Sequence, residues 1–143
     1  MSAKVYDAEW RVCNILDTPD IPFHMHGTTV TIPVERKFGS IETVRKYVDM
    51  VCIDYNRVTP KVVVNNRLKK KAHYCMGVIT MPNFNERWAW REAVVLHEIA
   101  HHLSSTNGHG KEFRDIFTKL LDKYIGPEVG WVYQTLAMEA SNV

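Results

Sequence analysis

His97-Glu98-Ile99-Ala100-His101 is where the types and spacing of residues in this chain point most directly to chemistry. On a helix, residues i and i+4 are surface neighbours with roughly 5–6 Å between their Cβ atoms, so both imidazoles can reach one metal ion. Glu98 falls about 100° round the helix from His97, beside such an ion and not under it. A carboxylate there is placed to take a proton from water that the ion activates. The pattern predicts a hydrolytic centre with His97 and His101 as ligands and Glu98 as general base.

Two imidazoles do not complete such a centre, because catalytic zinc holds three protein ligands and a water. His109 is the expected third ligand. Gly108 and Gly110 flank it, so the chain can double back beyond the helix and aim the ring at the first two. The competing reading is a capped turn with an exposed histidine. Glu112 is the substitute third ligand, and Cys75 a more remote thiolate one. His102 points about 100° away from His101 on a regular helix and reads as packing or outer support.

The run His97-Glu98-Ile99-Ala100-His101-His102-Leu103, followed by Gly108-His109-Gly110-Lys111-Glu112-Phe113, resembles the SprT-like (Spartan-like) zinc metallopeptidases. In that family a His-Glu-x-x-His helix precedes a His-Gly-x-x-Phe or Trp segment that supplies a third histidine. Met76-Gly77-Val78-Ile79-Thr80-Met81 is similar to the zincin edge strand ahead of the active helix. The chain is similar as well to small metallohydrolases of phage-type genomes. The resemblance covers about residues 74–117. It implies a zincin-like domain, Zn2+ held by His97, His101 and His109, Glu98 as general base, and hydrolysis of peptide bonds, with DNA-associated proteins as one substrate class. The stretch from His101 to His109 is shorter than in Spartan-type proteins, and the chain has no four-cysteine zinc ribbon and no separate DNA-binding segment.

The elements that must position these residues follow from periodicity and breakers. Residues 5–16 are a mixed pattern opening as a strand. Pro19, Pro22 and Gly27 make 17–27 a loop. Residues 28–34 alternate as a strand near a sheet edge, on account of Pro33. Ser40 caps a helix over 41–55, whose Ile41, Val44, Val48, Val51, Cys52 and Tyr55 form one stripe. Residues 61–65 are a short strand and 74–81 a further one, its edge open to an extended substrate that pairs along Gly77, Val78 and Ile79. The active helix is expected over 86–104, capped by Asn85 and ended by Asn107-Gly108. Helices from about Lys111 to Tyr124 and from Val129 to Met138 complete an α+β fold read as a single domain over 1–143. Its parts are a small mixed or antiparallel sheet, a backing helix, the active-site helix and C-terminal helices.

Composition sets the outer bounds. A chain of 143 residues, 45% hydrophobic and 24% charged, is an ordinary globular composition. A net charge of +2 is too mild to argue for nucleic acid by itself. No apolar run is long enough to span a bilayer, so no membrane partner is expected. Cys13, Cys52 and Cys75 make no C-x-x-C pair and read as reduced, buried thiols of a cytoplasmic protein. The run Arg67-Leu68-Lys69-Lys70-Lys71 with His73 is first a solvated turn and second a phosphate contact for DNA. His24 and His26 are first a loop with exposed imidazoles and second a metal pair. Tyr74, Tyr124 and Tyr133 are candidate donors to an oxyanion, Asp115 is a candidate partner for a ligand imidazole, and Trp88 and Trp90 read as packing. The expected partner is a protein or peptide substrate. The rival readings are a deformylase-like amide hydrolase using Cys75 and a non-catalytic zinc or DNA-binding module.

Overall fold

The computed structural model describes residues 3–68 and 70–141, which leaves Lys69 of the basic run outside the described residues. In chain order the elements are α1 (Ala3–Leu16), β1 (Phe23–Met25), β2 (Thr28–Val30), α2 (Ile41–Asp54), β3 (Lys61–Val64), β4 (His73–Cys75), β5 (Val78–Met81), a 3-10 turn at Arg87–Ala89, α3 (Glu92–Leu103), α4 (Lys111–Tyr124) and α5 (Pro127–Ser141). The fold is mixed α and β. It comprises two compact units, one of Arg36–Ser105 and one of the residues up to Glu35 together with those from Thr106 onward. Among the described residues no helix is long and apolar enough to cross a membrane.

In the unit 36–105, α2 begins where the sequence places it. Ser40 is extended, its hydroxyl accepts from the Thr43 amide, and its own amide donates to Thr43 Oγ1, a reciprocal cap with Thr in the third position. Val44, Tyr47, Val48, Val51 and Cys52 form its buried stripe. The expected strand over 74–81 is two strands. Cys75 pairs with Val78 across a two-residue turn in which Met76 and Gly77 both have positive φ, 47° and 81°. Such a turn matches the twist of a hairpin, and glycine adopts it without strain. β5 also pairs in parallel with β3, so the order is β3-β5-β4 and β5 lies in the middle. Ile79 and Met81 are fully buried there.

The active helix starts later than its periodicity suggests. Arg91 is extended and bridges Lys37, the Phe38 amide donates to the Trp90 carbonyl at 2.9 Å, and the Glu92 amide donates to the Arg36 carbonyl at 3.0 Å. This long-range pairing holds residues 90–91 out of helical geometry, so Asn85 is no cap and α3 opens at Glu92. It closes at Leu103, with Ser104 already extended, well before Asn107-Gly108. Every residue from Glu92 to Ala100 is buried. A helix covered all round needs no amphipathic stripe, and its polar residues are there for reasons other than solubility.

In the other unit, residues 3–16 form a helix and not the expected strand, with Ala8, Val12, Cys13 and Leu16 buried. Part of the expected loop is β1, which pairs with β2 through a turn at His26-Gly27, again with both φ values positive. β2 ends at Val30, four residues before the expected limit. α4 matches its predicted span, and Phe113, Phe117, Leu120 and Leu121 are its buried face. α5 begins at Pro127, where a proline is tolerated because a first-turn amide has no helical partner. It packs on both α4 and α1. A Cβ at Gly130 would lie 1.7 Å from Asp122 Oδ1 and 3.0 Å from the Thr118 carbonyl, so the close approach of α5 to α4 requires glycine there.

Candidate metal centre

The two imidazoles of α3 converge. His97 Nε2 and His101 Nε2 are 3.2 Å apart, with ring planes at 69°. Two nitrogens each about 2.0–2.1 Å from one tetrahedral ion would be roughly 3.3–3.4 Å apart, so the observed pair has the spacing of two ligands to a common centre. Burial, and secondarily His97, pull the pKa of His101 down from 6.5 to about 4. The ring is therefore neutral at physiological pH and has a lone pair to offer. Glu98, the next residue after His97, is buried.

His97, His101 and His109 make a group that could hold a metal ion. The sequence names these same three. Three imidazole nitrogens suit a divalent transition-metal ion. Within its own unit, His109 follows Gly108, whose φ is +94°, and precedes Gly110, the N-cap of α4. Its ring meets Phe113 edge-on, with centroids 4.6 Å apart. Glu112 and Cys75 are not in the group. Cys75 is exposed on β4, which corrects the expectation that all three thiols are buried; Cys13 and Cys52 are.

The remaining candidates are elsewhere engaged. Tyr74 Oη is 2.9 Å from His102 Nδ1 and accepts from the Gly77 amide at 3.0 Å. Tyr133 is buried edge-on to Phe117, and burial pushes its phenol pKa well up. Tyr124 carries the Lys123 ammonium over its ring. Asp115 pairs with Lys111 one turn earlier on α4, at 2.7 Å. His24 Nδ1 bonds Thr29 Oγ1 at 2.7 Å, and His26 pairs with Glu139. Trp90 is core, edge-on to Phe84, whereas Trp88 is 41% exposed. The open edge expected along Val78 and Ile79 does not exist, since β3 and β4 occupy both sides of β5, and Gly77 serves the turn.

The sequence reading passed over Glu92. Its buried carboxyl group accepts from the Arg36 amide at 3.0 Å, from the Arg36 guanidinium at 3.2 Å and from Tyr47 Oη. A signal was present, because an acidic residue suits the positive end of a helix and Glu92 precedes a run of apolar positions. Its donors lie 45 and 56 positions away and leave no local trace.

No protein-family model, no curated protein and no solved structure matches the chain.

Proposed function

We propose that the chain is a zinc-dependent metallohydrolase, most consistent with a peptidase of the SprT-like kind. The observation that carries this reading is the convergence of His97 and His101 at 3.2 Å, with Glu98, the residue after His97, buried. His97, His101 and His109 would hold the ion. When bound, the ion supplies a Lewis acid that polarises the scissile carbonyl and brings water within reach of deprotonation near neutral pH. Glu98 takes the proton from the attacking water and returns it to the leaving amide nitrogen, a role served by its burial on the helix that carries His97 and His101.

The sheet supports a zincin-like arrangement. β4 is an outer strand, antiparallel to β5, and it packs on α3. An extended peptide would add to the outer side of His73–Cys75, with main-chain hydrogen bonds supplying affinity independent of side chains. This moves the substrate strand one hairpin arm upstream of the segment chosen from sequence. Protein or peptide is thus the substrate class of this reading. The exclusion of Cys75 from the histidine group gives the deformylase-like alternative no support.

The deciding experiment is Glu98→Gln, with zinc content and hydrolysis of an unfolded, dye-labelled protein measured on the same preparation. Full zinc with hydrolysis reduced by about 100-fold or more supports the general-base role. Undiminished hydrolysis in that variant, or a wild-type protein that carries zinc and cleaves no peptide bond, overturns the peptidase reading.

A further inference from the structure

His102 stands next to a proposed ligand, yet its ring is committed elsewhere. Nε2 lies 2.6 Å from the Val58 carbonyl and Nδ1 lies 2.9 Å from Tyr74 Oη. A carbonyl can only accept, so Nε2 carries the hydrogen, and in the neutral ring Nδ1 offers its lone pair. The phenol is then the donor to His102, and its oxygen accepts from the Gly77 amide. With His102 neutral, the chain of donors runs Gly77 to Tyr74, Tyr74 to His102, His102 to Val58. The phenol ring held in this way lies parallel to the His101 imidazole, 9° between planes and 6.5 Å between centroids, and edge-on to His102 at 5.5 Å.

We infer that Tyr74 and His102 are positioning residues for His101, Tyr74 acting as a wall beside its ring and His102 as the bracket that keeps the wall in place. The inference rests on the reading of His97 and His101 as metal ligands. An imidazole turns about two side-chain bonds, and a modest rotation carries Nε2 away from the point it shares with its partner. The Tyr74 ring limits that rotation from one side. Fastened at its hydroxyl by one accepted and one donated hydrogen bond, the phenol itself cannot swing aside. Groups that orient ligands in this manner alter metal affinity by about 10- to 100-fold when removed, without themselves touching the ion. A simple staple between β4, the loop after α2 and the end of α3 would instead affect folding stability alone.

Three variants separate these roles. Tyr74→Phe keeps the ring and removes the hydroxyl. His102→Asn places an amide oxygen where Nδ1 stood and keeps an acceptor for Tyr74, while His102→Gln places an amide nitrogen where Nε2 stood and keeps only the donor to Val58. For each, Zn2+ affinity is measured by chelator competition, the Co2+ form by its visible absorption, and the metal-free protein by its unfolding midpoint. Positioning predicts that Tyr74→Phe and His102→Gln bind Zn2+ about 10-fold more weakly with an altered Co2+ spectrum, and that His102→Asn returns both towards wild type. Wild-type affinity and spectrum in Tyr74→Phe and His102→Gln, or equal losses in His102→Asn and His102→Gln, overturn the role. Should Tyr74→Phe fail to fold, the two His102 variants decide it. A wild-type protein that takes up neither ion overturns the metal reading itself, and the positioning role with it.

Discussion

Tyr47 on α2 donates its phenolic hydrogen to the carboxyl group of Glu92, the first residue of α3, inside the core of the unit 36–105. The same carboxyl group receives the Arg36 amide and guanidinium. The helix that carries His97 and Glu98 is thus anchored at its start by polar bonds to two other segments, the one from Tyr47 buried. Truncation would leave the buried Tyr47 hydroxyl facing an apolar gap, while the Arg36 guanidinium, 63% exposed, would turn to water. We expect Glu92→Ala to cost about 2 kcal/mol of unfolding free energy and Tyr47→Phe about 1–2 kcal/mol, measured by urea unfolding. A Glu92→Ala protein as stable as wild type would show that the anchor is dispensable.

The third ligand can be tested apart from catalysis. Zinc stoichiometry and affinity should fall steeply in His109→Ala, by about 100-fold or more, because two imidazoles remain where a catalytic site needs three protein ligands. Cys75→Ala and Glu112→Gln should bind as the wild type does, since neither residue is in the histidine group. Loss of zinc in Cys75→Ala with none in His109→Ala would reverse the assignment.

Acid should destabilise the metal-free protein through His101. Its folded pKa is about 4, pulled down from 6.5 by burial and then by His97. Between these values the unfolded chain binds a proton that the folded chain refuses, so stability is complete above about pH 6.5 and declines towards pH 4. With His101 only partly buried, the loss assignable to this residue is about 1–2 kcal/mol. Unfolding midpoints at pH 7 and pH 4.5 should differ less in His101→Gln than in wild type; an identical difference in the two proteins would remove His101 as the cause.

Thiol reactivity should divide the cysteines. Cys75 is exposed on an outer strand, whereas Cys13 and Cys52 are fully buried. Burial, and next the Asp49 carboxylate, push the Cys52 thiol up to about 11, against a smaller opposing pull from Arg57. A thiolate is the reactive form. Titration with a thiol reagent at pH 8 should therefore modify one cysteine rapidly in the native protein and three after unfolding, with Cys75→Ser abolishing the rapid phase.

The Met76-Gly77 turn gives a further stability test. Met76 is 93% exposed at φ 47°, so its side chain gains little from packing while its backbone sits where asparagine or glycine is favoured. We expect Met76→Asn to raise stability by about 0.5–1 kcal/mol in thermal unfolding. A lower midpoint would mean that the methionine makes contacts its exposure does not suggest.

What the sequence determined by itself was local. His97 and His101 share a helix face because four residues make about one turn, and Ser40 begins α2 because a hydroxyl there satisfies an amide three residues on. α4 was legible from its one-sided apolar pattern, and His109 from the glycines on either side. Tertiary structure decided what depends on distant partners. Lys37 pairing with Arg91 moved the start of α3 to Glu92, and β3 and β4 on either side of β5 closed the edge that Val78 and Ile79 were expected to present. Tyr74, read as a donor to substrate, turned out to donate to a histidine 28 positions away. Helical spacing and caps are written in neighbouring residues; strand partners and buried hydrogen bonds are chosen only when segments far apart in the chain compete for the same donors and acceptors.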